Sequence, residues 1–207
     1  MSRRFAVAVL VTSAILLSGS AFAAATDIIV DVRPAALLVN WSADSFKLKG
    51  PAQFRDGQEY QVIEQPNSVS TMPNLKLGVG IDTGNAYIDL TGGAGMLVND
   101  RFRSVMLDVD GAYQFKFKKN VLFGPHLGLG YFTSPEWYGD AEVDFSDSMG
   151  VLFGAQLSVG FDILFTFAVD YAYIQPFDAT PRYSWVASDD SVDFSGLLFQ
   201  FGMKGRF

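Results

Sequence analysis

Residues 197–207 read "LLFQFGMKGRF" and bring the chain to a phenylalanine. Taken in steps of two, one face carries Leu197, Phe199, Phe201, Met203, Gly205 and Phe207, and the other Leu198, Gln200, Gly202, Lys204 and Arg206. Alternation over so many positions marks a β-strand whose two faces meet different environments. An edge strand in water with that much aromatic surface would template aggregation. Something other than water has to cover it.

The same period-two pattern recurs along the chain. It predicts strands near 27–41, 73–82, 86–97, 104–117, 121–133, 149–161, 163–175 and 194–207. In 149–161, Met149, Val151, Phe153, Ala155, Leu157, Val159 and Phe161 share one face, and smaller or polar residues the other. The connections alternate in length. Short gaps fall at Thr83-Gly84-Asn85, Lys118-Lys119-Asn120 and Asp162, and long ones at 42–72, 134–148 and 176–193. Six of the eight prolines lie in or beside the long gaps. Short turns on one side and long loops on the other predict an all-β fold, an eight-stranded antiparallel up-and-down transmembrane β-barrel with both termini at the short-turn end. Pro34 and Pro125 fall inside predicted strands, where each removes a ladder hydrogen bond. A bulge is expected at one or both, and the register of the first strand stays open.

The N-terminus supplies a route out of the cytoplasm. Arg3 and Arg4 precede an apolar run from Phe5 to Leu17, and Ala21-Phe22-Ala23 fits a cleavage site. This predicts a signal peptide at 1–23 and a barrel domain at 24–207. Hydrophobic residues make up 49% of the sequence, yet no second run is long and apolar enough for a spanning helix. Apolar content spread evenly is what a barrel needs, since only alternate residues meet lipid. The absence of cysteine excludes a disulfide framework and thiolate chemistry. Cleavage removes two arginines and takes the net charge from −7 to −9, so nucleic acid is not an expected partner.

With its terminal alternating strand and its loop pattern, the chain resembles the small bacterial outer-membrane β-barrels of the OmpA, OmpX and opacity-protein kind. The likeness extends over 24–207. In that family a last strand ending on an aromatic residue is the signal read by the barrel-assembly machinery. Phe199, Phe201, Met203 and Phe207 stand in those places. The resemblance implies a Gram-negative outer membrane, with outer-membrane lipids, lipopolysaccharide and the assembly machinery as partners.

Strand parity also sorts the interior. It places Asp31, Asp89, Asp108, Asp110 and Asp170 inside, with Arg33, Lys76, Lys116, Lys204 and Arg206. Bulky Leu122, Leu152, Leu164 and Leu198 point the same way. Five acids against five bases predict a lumen plugged by paired charges; a polar conduit for small solutes is the alternative. His126, the single histidine, faces inward, with Asp110, Gln114, Gln156 and Ser158 as candidate neighbours. A histidine, an acid and a serine suggest a hydrolase. The lipid A deacylases, however, carry a serine two residues after their histidine, where this chain has Gly128. A structural lumen histidine is the expectation. Glycine-rich "TGGAGM" and "GPHLGLG" lie in strand patterns and open no helix, so they make no phosphate loop; inward Gly93, Gly95, Gly128 and Gly130 leave room for larger neighbours.

The long loops are acidic, with net charges of −1 in 42–72, −5 in 134–148 and −3 in 176–193. No Ca²⁺-loop spacing occurs among these acids, and a solvated, repelling rim is expected. Trp137, Tyr138, Tyr183 and Trp185 lie in these loops as candidate recognition or interface aromatics. The functional expectation is a structural or surface-interaction barrel, with an extracellular ligand at 42–72, 134–148 or 176–193. No catalysis, cofactor or metal site is expected. A small channel of the OmpW kind is the alternative, followed by a lipid-modifying enzyme.

Overall fold

The computed structural model describes residues 26–56 and 58–207; the expected signal peptide at 1–23 lies outside them. In chain order the strands are β1 (Thr26–Asn40), β2 (Leu48–Arg55), β3 (Gln58–Glu64), β4 (Val69–Thr71), β5 (Asn74–Asp82), β6 (Ala86–Val98), β7 (Phe102–Lys118), β8 (Val121–Trp137), β9 (Val143–Phe145), β10 (Ser148–Gly160), β11 (Ile163–Ile174), β12 (Phe177–Pro181), β13 (Val186–Ala187), β14 (Ser191–Val192) and β15 (Gly196–Arg206). One 3-10 turn, Ala43–Ser45, follows β1.

The long strands form one antiparallel up-and-down sheet closed on itself. Each pairs with the next along the chain through β1, β5, β6, β7, β8, β10, β11 and β15, and β15 pairs back onto β1. The short β4 continues the line of β5, touching β1 at Leu37–Val39 and β6 at Val98. Closure leaves the long strands no free edge, and it satisfies backbone donors and acceptors without water. Phe207 completes the seam by exchanging backbone bonds with Ile28, at 2.8 and 3.0 Å.

The first strand's register turns on Pro34. The ladder to β15 shifts between Val32 and Ala35. Before the bulge Asp31 and Arg33 are buried; after it Ala36, Leu38 and Asn40 are. One extra residue therefore switches inward parity from odd to even, as a bulge must. Pro125 keeps its register, paired with Ala155 of β10, while the ladder to β7 runs from Ala112↔His126 to Phe115↔Phe123 without a shift.

The outer wall is apolar. Along β7, Val105, Leu107, Val109, Tyr113, Phe115 and Phe117 are exposed, and on β15 and its end Phe201, Met203 and Phe207. From Val105 to Phe117 a strand tilted by roughly 40° spans about 30 Å, close to the thickness of a hydrocarbon core. A patch of this extent is more than water-soluble monomers expose. Beyond it β7 and β8 continue, and β8 runs on to Trp137, past the expected end at 133.

The long loops are not a bare solvated rim. Loop 42–72 holds the β2–β3 hairpin, and β13 adds to β2 as a third strand. Segments 134–148 and 176–193 are tied together by β9, β12 and β14. These short strands form a folded cap at the long-loop end.

Candidate functional site

Two regions fill the barrel, and the strand parity decides where each begins. Toward the short-turn end charged and polar residues dominate the filling, with Ile29, Leu122 and Leu164 buried beside them. Lys76 of β5 sits between Asp108 and Asp110 of β7; its Nζ lies 2.6 Å from Asp108 Oδ2 and also contacts the Asp110 carboxylate. Asp110 Oδ1 is 3.0 Å from His126 Nε2 on β8, and His126 Nδ1 is 2.9 Å from Asp170 Oδ1 on β11. Gln200 of β15 donates to Asp170 at 2.7 Å and accepts from Arg33 of β1 at 3.0 Å. Arg33 also donates to Asp31 at 2.9 Å and to Gln156 of β10 at 2.7 Å.

Ser158 extends the network downward, accepting from Gln156 at 3.2 Å and from Gln114 of β7 at 3.0 Å. Asp89 of β6 holds Lys204 at 2.8 Å and Arg206 at 3.0 Å. At the mouth, Tyr87 lies between two cations, with Arg206 3.7 Å and Lys116 4.2 Å from its ring centroid. All eight long strands contribute, so these contacts cross the lumen from wall to wall. Lys76 is wholly buried; a lone ammonium there would carry a large desolvation penalty, which two carboxylates offset.

Two close approaches require glycine. A Cβ on Gly128 would fall 2.1 Å from Asp110 Oδ1, and one on Gly93 would meet the Lys76 side chain at 2.8 Å. At Gly128 the room is taken by the charged network, and at Gly93 by the β5 backbone at Leu75 O, 2.2 Å from the added Cβ, together with Lys76.

The structure regroups several expected residues. His126 reaches Asp110 as anticipated, but its second partner is Asp170; Gln156 and Gln114 bind Arg33 and Ser158 instead. Both imidazole nitrogens face carboxylates, and Ser158 is held by two glutamines, so the parts of a nucleophilic triad are not assembled. Asp170 meets neither Lys76 nor Arg33 directly and reaches Arg33 through Gln200. Lys116 is only half-buried and pairs with Asp82 at 2.6 Å. Gln200, Asp82 and Tyr87 escaped the sequence reading. Gln200 shares the inward parity of Leu198 and Lys204, a signal that could have found it. Phe199, Phe201, Met203 and Phe207 stand on the outward parity, and Phe201 packs on Phe167 with ring centroids 4.8 Å apart.

Toward the long-loop end the filling is apolar. Leu38, Leu97, Phe102, Met106, Phe132, Leu152 and Leu198 point in from the walls, and Phe46, Leu48, Phe177 and Phe194 come from the cap or its edge. Phe102 lies at the centre, with ring centroids 4.7 Å from Phe194, 4.9 Å from Phe177 and 5.3 Å from Phe145. Trp137 stacks on Phe145 at 5.9 Å, and the Trp185 ring covers Gly50. These two tryptophans, expected at a recognition surface or membrane interface, are packing residues here, while Tyr183 is 84% exposed.

A buried carboxylate pins the cap. Glu64, at the end of β3, accepts from Trp137 Nε1 and from the Asp140 backbone N–H, each at 2.7 Å, and from Ala141 N–H at 3.3 Å. It joins a loop rooted on β1 to one rooted on β8, four strands away around the wall. Several loop charges are paired rather than free: Arg103 with Glu136 and Arg182 with Asp144. Among the described residues, no group of three or more His, Cys, Asp or Glu side chains is arranged to hold a metal ion.

No protein-family model matches the sequence, and no curated protein matches it. Among solved structures, the outer membrane protein OprG from Pseudomonas aeruginosa is similar at 12% identity and a TM-score of 0.50, over 87% of this chain and 96% of that one. The translocator domain of the autotransporter NalP from Neisseria meningitidis is similar at 12% identity and a TM-score of 0.43, over 97% of this chain and 70% of that one. At such identity the likeness to OprG speaks for the fold alone, and that fold is an outer-membrane β-barrel.

Proposed function

We propose that the protein is an integral barrel of the bacterial outer membrane, plugged rather than conducting, that acts through its cap at the cell surface in a structural or binding role without catalysis. The observation that carries this reading is the double filling of the interior. A charge network spans every wall at one end, and an aromatic cluster packs wall to cap at the other. The apolar outer belt fits hydrocarbon, with lipids and lipopolysaccharide as its surroundings. The short-turn end then faces the periplasm, and the acidic cap, built from 42–72, 134–148 and 176–193, faces outward to meet any extracellular ligand. Phe199, Phe201, Met203 and Phe207 serve as the signal to the assembly machinery; on that basis Phe207→Asp lowers the amount of protein inserted, as read from membrane fractions.

Planar-bilayer recording tests the plug. Purified wild-type protein should give little or no steady conductance. Large, stable, single-step openings would replace this reading with the small-solute channel.

A further inference from the structure

The β2–β3 hairpin is unfinished as a sheet. Only Val186 and Ala187 of β13 pair with β2 on its far side, and β3 pairs with β2 alone. Among the described residues, no backbone hydrogen bond other than those to β2 reaches Gln58–Ile63. The hairpin is open on both faces as well: Phe54 and Ile63 are exposed on one and Tyr60 on the other. A two-stranded ribbon so exposed is marginal in water. Natural edge strands are usually blunted by proline, charged side chains, a β-bulge or a covering segment; in this hairpin Pro51 and the bulge between Lys49 and Ala52 lie in β2. β3, "QEYQVIE", has neither proline nor lysine and carries the strand-forming Tyr60, Val62 and Ile63.

Charge selects what can add to this edge. The three loops of the cap together carry −9, and Glu59 projects from β3 itself. The hairpin's bases, Lys47, Lys49 and Arg55, lie on or beside β2, one strand further from the open edge, while its acids, Asp56, Glu59 and Glu64, lie at the turn or on β3. A second copy would bring an equally acidic cap against the first, which disfavours self-pairing. We infer that the free edge of β3 is a docking site for an extended, cationic peptide segment of a partner protein, which adds to the hairpin as a further strand. Backbone hydrogen bonds supply the pairing, and alternate basic side chains meet the acidic cap.

The inference deepens the surface-binding reading and rests on it. The test uses the full-length mature protein in lipid nanodiscs and short synthetic peptides, with binding followed by fluorescence anisotropy. A peptide alternating lysine and valine should bind, and salt should weaken it. The same peptide N-methylated at alternate residues keeps its charge but cannot pair as a strand, and should bind about tenfold more weakly, a difference near 1.4 kcal/mol. Glu59→Lys in the protein should weaken the unmethylated peptide while leaving barrel unfolding unchanged. Equal binding of both peptides, or tighter binding of a glutamate–valine counterpart, overturns the inference. So does sedimentation showing dimers that Val62→Pro dissolves, since a second copy would then occupy the edge. Conductance decides the plug reading independently, so failure of peptide binding at a silent barrel condemns this inference alone.

Discussion

The two ends of the interior solve one packing problem with opposite chemistry. At the short-turn end the partners come from the barrel wall, and contacts are directional, set by strand register. At the long-loop end part of the filling comes from segments outside the wall, and the contacts are ring against ring, which tolerate reorientation. Register can place a lysine between two aspartates because neighbouring strands are fixed relative to one another. It cannot place a loop, so the cap relies on apolar burial and its own short strand pairings, with Glu64 as a buried charged clasp. Removing a partner should therefore damage the first region through an uncompensated charge and the second through a cavity.

Lys76→Ala tests the charged end most severely. It leaves Asp108 without a cation and Asp110 with His126 alone in a buried site, and a loss of about 3–5 kcal/mol is expected. The measure is the temperature at which the detergent-folded form loses its anomalous gel migration. A negligible change would mean that water screens these groups, and the contrast between the two ends would collapse.

Phe102→Ala probes the cap. Emptying the centre of the aromatic cluster should cost about 3–5 kcal/mol locally. Limited proteolysis should then cut within 42–72 or 134–148 while the barrel still melts near the wild-type temperature. Joint melting of cap and barrel would show that they form one cooperative unit.

The charged end was the more legible of the two from sequence. Period-two alternation fixes which residues face inward, so Asp31, Arg33, Lys76, Asp89, Asp108, Asp110, His126, Asp170 and Lys204 could be placed without any structure. Pairing was harder. It depends on register and on the height of each residue in a closed wall, so that His126 meets Asp170 while Gln156, a candidate neighbour of His126, binds Arg33. The cap was not legible. Its strands are two to eight residues long, too short for periodicity, and they join segments such as Leu48 and Ala187 that lie far apart in sequence. Trp137 and Trp185 carry no parity signal, so nothing in the sequence told inward from outward.

His126→Ala is a milder test of the charged end. Losing a hydrogen bond to the Asp170 carboxylate and a charged contact with Asp110 should cost about 1.5–3 kcal/mol, and the lipid A species seen by mass spectrometry should match those of wild type. An acyl change present only with the wild-type protein would restore the enzyme reading. The smallest effect is expected from Lys116→Ala. Its pair with Asp82 stands half in solvent, where such bridges contribute below about 1 kcal/mol. A larger loss in thermal unfolding would extend the buried network to the mouth.

The wall-to-wall network also imposes an order in time. Asp89 waits for Lys204, 115 residues further on, and Arg33 waits for Gln200, 167 residues away. Until β15 arrives, Arg33 of β1, Asp89 of β6 and Asp170 of β11 each lack one of their lumen partners. Such long-range closure makes for slow folding. The unfinished barrel is thus marked by its own unmatched charges, and β15 is the strand that settles them.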